Sequence, residues 1–359
     1  MDDKDWKDMK KYMKNGCREK NISTKNSTKL SVSTLYKLIL STSTIMLLLP
    51  ALFSCSIEFP EVETRISLAM ESAAGTLDVF TFNDDRMMAL DSYQHWEQTA
   101  GNDIGIRTQN GKKTVFICAN GQRSRQDWAG VNSFSSLEGI QVDLRNERRE
   151  APCMTGTVEI ETGSSKAYQV GMRRIASEIK VNSLRCDFKG KSYEGAVLTD
   201  VRIYLTNVNV RCGITEDGTV MPAEIVNSAG ADPEDISEFE EPDLIMRELD
   251  GSIGTEGRKV EAGLWCYPNA SRTAGPGTPF TRLVIEGSLE GETYWWPIEI
   301  NRDKDARDPG IYRNCQYIFD ICLTRKGSSD PDTVIETDAA EIKMNIRSWK
   351  EKEEYMVSY

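Results

Sequence analysis

The stretch Val201-Arg202-Ile203-Tyr204-Leu205 puts Val201, Ile203 and Leu205 on one side of the chain and Arg202 and Tyr204 on the other. That period of two belongs to a strand with one face turned inward. Working outward, Val158-Glu159-Ile160-Glu161 alternates in the same way, as do Ile66, Leu68 and Met70 against Ser67 and Ala69. Leu77-Asp78-Val79-Phe80-Thr81-Phe82 reads as a strand ended by the turn formers Asn83-Asp84-Asp85. Thr114 to Cys118 is continuously apolar, which predicts a strand covered on both faces. Further on, Leu264 to Tyr267 stops at Pro268-Asn269, and Arg282–Ile285 and Tyr294–Ile300 flank Glu290-Gly291-Glu292 as a hairpin. Tyr317 to Leu323 follows, then Ala340 to Trp349 with Ile342, Met344 and Ile346 on one face, and a last short strand over 354–359. Helical spacing is confined to Trp128, Val131, Phe134 and Leu137, while Tyr168 to Val181 fits strand or helix. Short strands at close intervals indicate β-sandwiches rather than a parallel α/β sheet.

At 359 residues the chain is too long for one core. The expected plan is a leader over 1–54 and two all-β domains with short helical insertions, 55–220 and 221–359. The connection at about 221–258 is strongly acidic. Residues 232–250 carry nine acidic side chains and one basic, Arg247, together with Pro233 and Pro242, the composition of a solvated loop between domains. Lys37 precedes an uncharged run from Leu38 to Ile57, whose end, Leu52-Phe53-Ser54-Cys55, is followed at once by polar sequence. This is the layout of a secretory signal, and its Leu-x-Ser-Cys ending resembles a bacterial lipoprotein box, with Cys55 as the residue that receives a covalent lipid. A plain transmembrane anchor and an ordinary cleaved signal fit the same run, although Pro50 and the hydroxyl residues oppose a stable span.

Of the 44 Lys/Arg and 56 Asp/Glu, residues 1–54 hold 10 and 5, so residues 55–359 carry 34 against 51, a net of −17. Such a surface repels phosphate backbones, which argues against nucleic acid as a partner. The single histidine, His95, excludes multi-imidazole metal sites and reads as a surface or packing residue. Beyond Cys17 and Cys55 seven cysteines remain, without a CxxC pair; in apolar runs such as Ile321-Cys322-Leu323 they read as small buried hydrophobes. GxSxG, P-loop and GxGxxG motifs are absent, so nothing points to an enzyme, a cofactor or a metal. One alternative to a purely structural role lies in Tyr294-Trp295-Trp296, aromatic residues that could stack on sugar rings in a surface glycan-binding lipoprotein.

Several motifs, in their order along the chain, are similar to the fimbrillin family, the subunits and anchors of type V pili in anaerobic Gram-negative bacteria. In the first block they are Leu77–Asn83, Thr114–Asn120 and Pro152-Cys153-Met154-Thr155-Gly156. In the second they are Cys266-Tyr267-Pro268-Asn269, Thr281–Ile285, Tyr312-Arg313-Asn314 with Tyr317, Gly327–Pro331 and Trp349–Tyr359. The resemblance implies two tandem transthyretin-like β-sandwich domains and lipid-dependent export to the outer membrane. It also implies assembly into a fimbrium by donor-strand pairing with other pilus subunits, and adhesion to a host or bacterial surface receptor. Ile66, Leu68 and Met70 in the first strand, and Ile342, Met344 and Ile346 near the C-terminus, are then the candidates for strand exchange. In the stalk subunits of this family a trypsin-like protease cuts after the first strand. Here the connection Glu71-Ser72-Ala73-Ala74-Gly75 has no Arg or Lys.

Overall fold

The apolar run Thr114–Cys118 lies at the centre of a five-stranded antiparallel sheet. In this computed structural model the described residues are 61–349 and 355–358, apart from 71–73, 98–101, 164–165, 276, 278, 303–307, 334 and 336–338. The sheet is ordered β3 (Leu90–Glu97), β2 (Thr76–Asn83), β5 (Lys112–Ala119), β7 (Met154–Glu161) and β9 (Arg173–Arg174). Facing it are three strands in the order β4 (Asp103–Gln109), β1 (Glu61–Ala69) and β8 (Tyr168–Gly171). Leu77, Val79, Val115 and Ile117 from the larger sheet meet Ile66, Leu68, Ile104, Ile106 and Val170 from the smaller, and all are buried.

The opposite face of β2 and β5 is covered too, which is why Thr114–Cys118 shows no alternation. Phe80 lies edge-on to Trp128 with centroids 5.1 Å apart, and Phe82 edge-on to Phe134 at 5.4 Å. Phe134 opens α1 (Phe134–Glu138), whose start is fixed by a reciprocal capping box between Ser133 and Ser136. The helical spacing of Trp128, Val131 and Leu137 thus serves a short cover in which only the last turn is α-helix. Beyond it, β6 (Gln141–Asp143) pairs with β13 (Arg211–Gly213), and β12 (Val208–Asn209) with β14 (Ile225–Val226).

The second pair of sheets begins two residues after β9. One sheet is ordered β16 (Arg258–Cys266), β10 (Ser177–Cys186), β19 (Cys315–Leu323), β20 (Ala340–Ser348) and β21 (Tyr355–Ser358), with β10 and β19 parallel. The other is ordered β15 (Met246–Leu249), β11 (Thr199–Thr206), β17 (Arg282–Leu289) and β18 (Glu292–Glu299). Ile179, Val181, Leu264 and Phe319 share a core with Ile203, Leu205, Leu283, Ile285 and Trp296. The β17–β18 hairpin turns at Glu290 and Gly291, with φ of 55° and 86°, the two positive values that a two-residue turn of this hand requires.

The chain is therefore all-β, but its strand pairings do not follow a division near residue 220. Strands β10 and β11 pair with β16, β19, β15 and β17, so these two strands, Ser177–Cys186 and Thr199–Thr206, belong with the C-terminal sheets. Both sheet pairs lie within one compact unit, Phe59–Tyr359. The acidic segment is not a loop between domains either. It contains α2 (Pro233–Ser237), a 3-10 helix at Pro242–Leu244 and strand β15, and it buries Ile236, Phe239, Leu244 and Ile245. Its carboxylates face arginines of the segment after β6: Glu238 is 3.2 Å from Arg145, Glu240 2.6 Å from Arg148 and Asp243 3.7 Å from Arg149. The apolar residues set among these charges, Ile236, Phe239, Leu244 and Ile245, are what hold the segment down.

On β20, Met344 is buried, while Ile342 and Ile346 are half-buried against the same core and Lys343 is exposed. Met344→Asp is expected to lower the melting temperature far more than Lys343→Asp, because only the first leaves a charge without a partner in an apolar site. Thermal denaturation of the two variants checks this.

Candidate functional site

Strand β1 is the middle strand of its sheet. It pairs antiparallel with β4 from Glu61↔Gln109 to Ser67↔Asp103, and parallel with β8 from Ile66↔Tyr168 to Ala69↔Gly171. Ile66 and Leu68 point into the sandwich and are 0% and 1% exposed, Met70 is half-buried beside the same core, and Arg65 faces outward. The slot that β1 fills is lined by Ile104, Ile106 and Val170, with Leu77, Val79 and Ile117 at its floor.

Both walls of that slot have attachments of their own. On the β4 side, Gln94 of β3 donates to the Arg107 carbonyl at 2.9 Å and accepts from the Arg107 amide at 3.0 Å. Asp91 accepts from the Gln109 amide at 2.9 Å and from the Thr108 hydroxyl. Lys113, nearly buried, lies 3.3 Å from the same Asp91 carboxylate and balances its charge. On the β8 side, the Tyr168 hydroxyl donates to the Glu161 carbonyl at 3.0 Å and accepts from its amide at 2.9 Å. These are the bonds by which the two sheets hold each other without β1.

At the C-terminal end, β21 pairs with β20 over Lys343–Ile346. Ile342, Met344 and Ile346 are thus in the C-terminal sandwich, far in sequence and sheet from Ile66, Leu68 and Met70, and the two sets do not form one site. Cys55 and residues 71–73 lie outside the described residues. Nor do Tyr294, Trp295 and Trp296 make a single platform. Alternation along β18 sends Tyr294 and the fully buried Trp296 to one face, where the Trp296 indole donates to the Arg325 carbonyl at 3.0 Å, and sends Trp295 to the other.

His95 Nδ1 donates to Asp78 at 2.8 Å, and the Tyr93 hydroxyl donates to the same carboxylate oxygen at 2.7 Å. Asp78 is buried, so this is a packed polar knot between neighbouring strands. Among the described residues no group of three or more His, Cys, Asp or Glu could hold a metal ion. The seven described cysteines are unpaired, and all but Cys315 are buried.

Two contacts between the sheet pairs escaped the sequence reading. Arg313, buried, donates from Nη2 to Thr155 Oγ1 at 2.9 Å and to the Arg173 carbonyl at 3.0 Å, from Nε to the Arg174 carbonyl at 3.2 Å, and from Nη1 to the Glu216 carbonyl. Glu147, also buried, accepts from the Cys153 amide at 3.0 Å and from the Tyr267 hydroxyl at 3.0 Å. Burial lifts the Glu147 carboxyl from an ordinary 4.5 to about 7, against the lowering effect of those two bonds. Tyr312-Arg313-Asn314 and Cys266-Tyr267 stand among the motifs quoted above, but spacing alone does not reveal that their polar groups meet the first sandwich.

Between pH 4.5 and about 7 the folded chain holds the Glu147 proton and the unfolded chain has released it, so this group's contribution to stability falls as pH rises through that window. Glu147→Gln is expected to remove that part of the slope. Denaturant midpoints of both proteins across the window test it; parallel curves would show that Glu147 does not titrate there.

No protein-family profile and no curated protein matches the sequence. Solved structures do match the fold. A candidate cell-adhesion protein of Bacteroides eggerthii superposes with a TM-score of 0.63 at 15% identity, covering 82% of this chain and 97% of that one. A second, from Parabacteroides distasonis, gives 0.58 at 11%, covering 81% and 100%. A fimbrilin of Porphyromonas gingivalis gives 0.56 at 12%, covering 80% and 97%. At these identities the shared property is the β-sandwich fold over the whole length of each neighbour.

Proposed function

We propose that this chain is a non-enzymatic fimbrial subunit of the fimbrillin type, held at the outer membrane by a lipid on Cys55 and joined to other pilus subunits by β-strand exchange. The observation that carries the reading is the seating of β1. A central strand whose two neighbours are separately tied to the opposing sheet can be replaced by an equivalent strand from a partner, because the slot keeps its walls. The incoming strand would recover two ladders of main-chain bonds and bury alternate apolar side chains in the places of Ile66 and Leu68. The shared fold with a fimbrilin and with candidate adhesion proteins supports this assignment.

Within that reading, an anchor or accessory role fits better than a repeating stalk unit. The connection 71–75 offers no Arg or Lys to a trypsin-like protease, and Arg86 lies beyond β2. Strand β1 and the lipid then stay with the chain and its own slot stays filled, so in that role the chain would donate a strand to a partner's slot of the same kind, with the segment of Ile342, Met344 and Ile346 as the candidate. Electron microscopy of surface filaments with and without this chain tests the fimbrial role, with altered filament number, length or attachment expected. N-terminal sequencing of the protein from intact filaments tests the anchor role: a start within residues 71–76 would assign it to the stalk. Cys55→Ala is expected to abolish incorporation of radiolabelled palmitate, and incorporation that survives the substitution rules out lipidation at Cys55.

A further inference from the structure

The outer face of the four-stranded sheet carries one side chain from each strand in a single cross-strand row. Glu248 on β15 is opposite Arg202 on β11, Arg202 opposite Glu286 on β17, and Glu286 opposite Trp295 on β18. Their neighbours Val201, Ile203, Ile285 and Trp296 point to the core, so the row faces away from it. Arg202 is ion-paired with Glu286, and their side chains are 40% and 7% exposed. A hollow of about 410 Å³ opens beside this pair, walled by Trp295, Tyr204, Gly230 and Pro331. A second hollow, of about 610 Å³, shares Arg202 and Glu286 and continues past Ser288 and Thr293.

The walls are built rather than incidental. The Trp295 backbone is held at both its amide and its carbonyl by Ser328, whose carbonyl accepts from the Trp295 amide at 3.2 Å and whose amide donates to the Trp295 carbonyl at 2.8 Å. Gly230 has a φ of 129°, and a Cβ there would stand 3.1 Å from the Pro331 ring. The Tyr204 hydroxyl sits among Glu286, Arg202 and Trp295.

We propose that this face is a binding site for a neutral oligosaccharide, with Trp295 as the stacking surface and Arg202 and Glu286 as the polar contacts. A guanidinium and a carboxylate side by side present donors and an acceptor that match adjacent hydroxyls, each of which can both accept and donate. Trp295 supplies an amphipathic aromatic surface for the apolar side of a sugar ring. Charge selects against acidic glycans, which would meet Glu248, Glu286, Asp200 and Asp250 around the single arginine of the row. Asp232, at the rim of the first hollow, accepts from the Glu234 amide at 2.9 Å as the cap of α2. The two hollows, joined at the Arg202–Glu286 pair, suit a ligand longer than one ring.

Isothermal titration of the mature chain against a panel of neutral oligosaccharides (gluco-, xylo-, galacto- and mannooligosaccharides), with sialylated and sulfated glycans and a lysine-rich peptide alongside, tests the site. Binding to at least one neutral oligosaccharide is expected, weakened about tenfold or more by Trp295→Ala and by Arg202→Met. Tyr294→Ala, on the opposite face of β18, is expected to leave it unchanged, and circular dichroism melts establish that each variant is folded. Where Trp295→Ala does not fold, Trp295→Phe and Arg202→Met carry the test. Absence of binding across the neutral panel, binding that persists in folded Trp295 and Arg202 variants, or preference for the acidic glycans or the peptide overturns the proposal.

Discussion

Strand β1 does two jobs at once in the smaller sheet of the first sandwich. It provides the hydrogen-bond partners for both β4 and β8, and it delivers Ile66 and Leu68 to the centre of the first core. Neither neighbour can pair across the gap without it, since adjacent strands lie about 5 Å apart and the gap is two such spacings wide. An empty slot would expose unpaired backbone groups and apolar floor together, a state that persists only until a strand fills it. Much of the remaining architecture reads as support for that strand's neighbours, from Gln94 and Asp91 behind β4 to Tyr168 beside β8.

The second sandwich is fastened to the first by polar groups that have left water. Arg313 spends its guanidinium on three main-chain carbonyls and a threonine hydroxyl rather than on a carboxylate. Glu147 finds an amide and a phenol in place of a cation's contact, and burial therefore favours its protonated form. Removing one partner of either contact would strand a charged or polar group in a dry site, so each contact costs more to delete by substitution than its bonds are worth in water. The arginines at 145, 148 and 149 add a more exposed fastening to the acidic segment, where solvent screens each pair and the apolar residues between them contribute more.

Strand identity was legible from alternation, but partners were not. Val201-Arg202-Ile203-Tyr204-Leu205 announces a strand with a buried face; nothing in it says that β17 and β15 are its neighbours. The parallel pairing of β10 with β19 joins residues about 140 apart, and the ambiguous run ending at Val181 holds the start of β10. Without those partners the acidic composition that begins at about residue 221 looks like a domain boundary. The acidic segment misled for a related reason, since a count of charges ignores Ile236, Phe239, Leu244 and Ile245 spaced among them. The aromatic triplet, by contrast, could have been read correctly: once Tyr294–Ile300 is taken as a strand, consecutive tryptophans must point to opposite faces. That rule alone separates buried Trp296 from Trp295, which lines the outer hollow.

The placement of edges bears on how such a chain would join a partner. In the first sandwich the edge strands β3 and β4 belong to different sheets, and Gln94 and Asp91 lace one to the other. A strand added there would compete with side chains already occupying the Arg107 and Gln109 backbone. In the second sandwich the outer side of β20 is paired with β21 over Lys343–Ile346, and the exposed Glu341 and Lys343 give that strand charged neighbours. At β18, Ser328 bridges the Trp295 backbone. Where edges are laced, bridged or charged, simple addition of a strand recovers few new main-chain bonds. A strand that enters a vacated central slot, walled as the β1 slot is, forms two ladders and buries an apolar face, so it gains more than a strand added at such an edge.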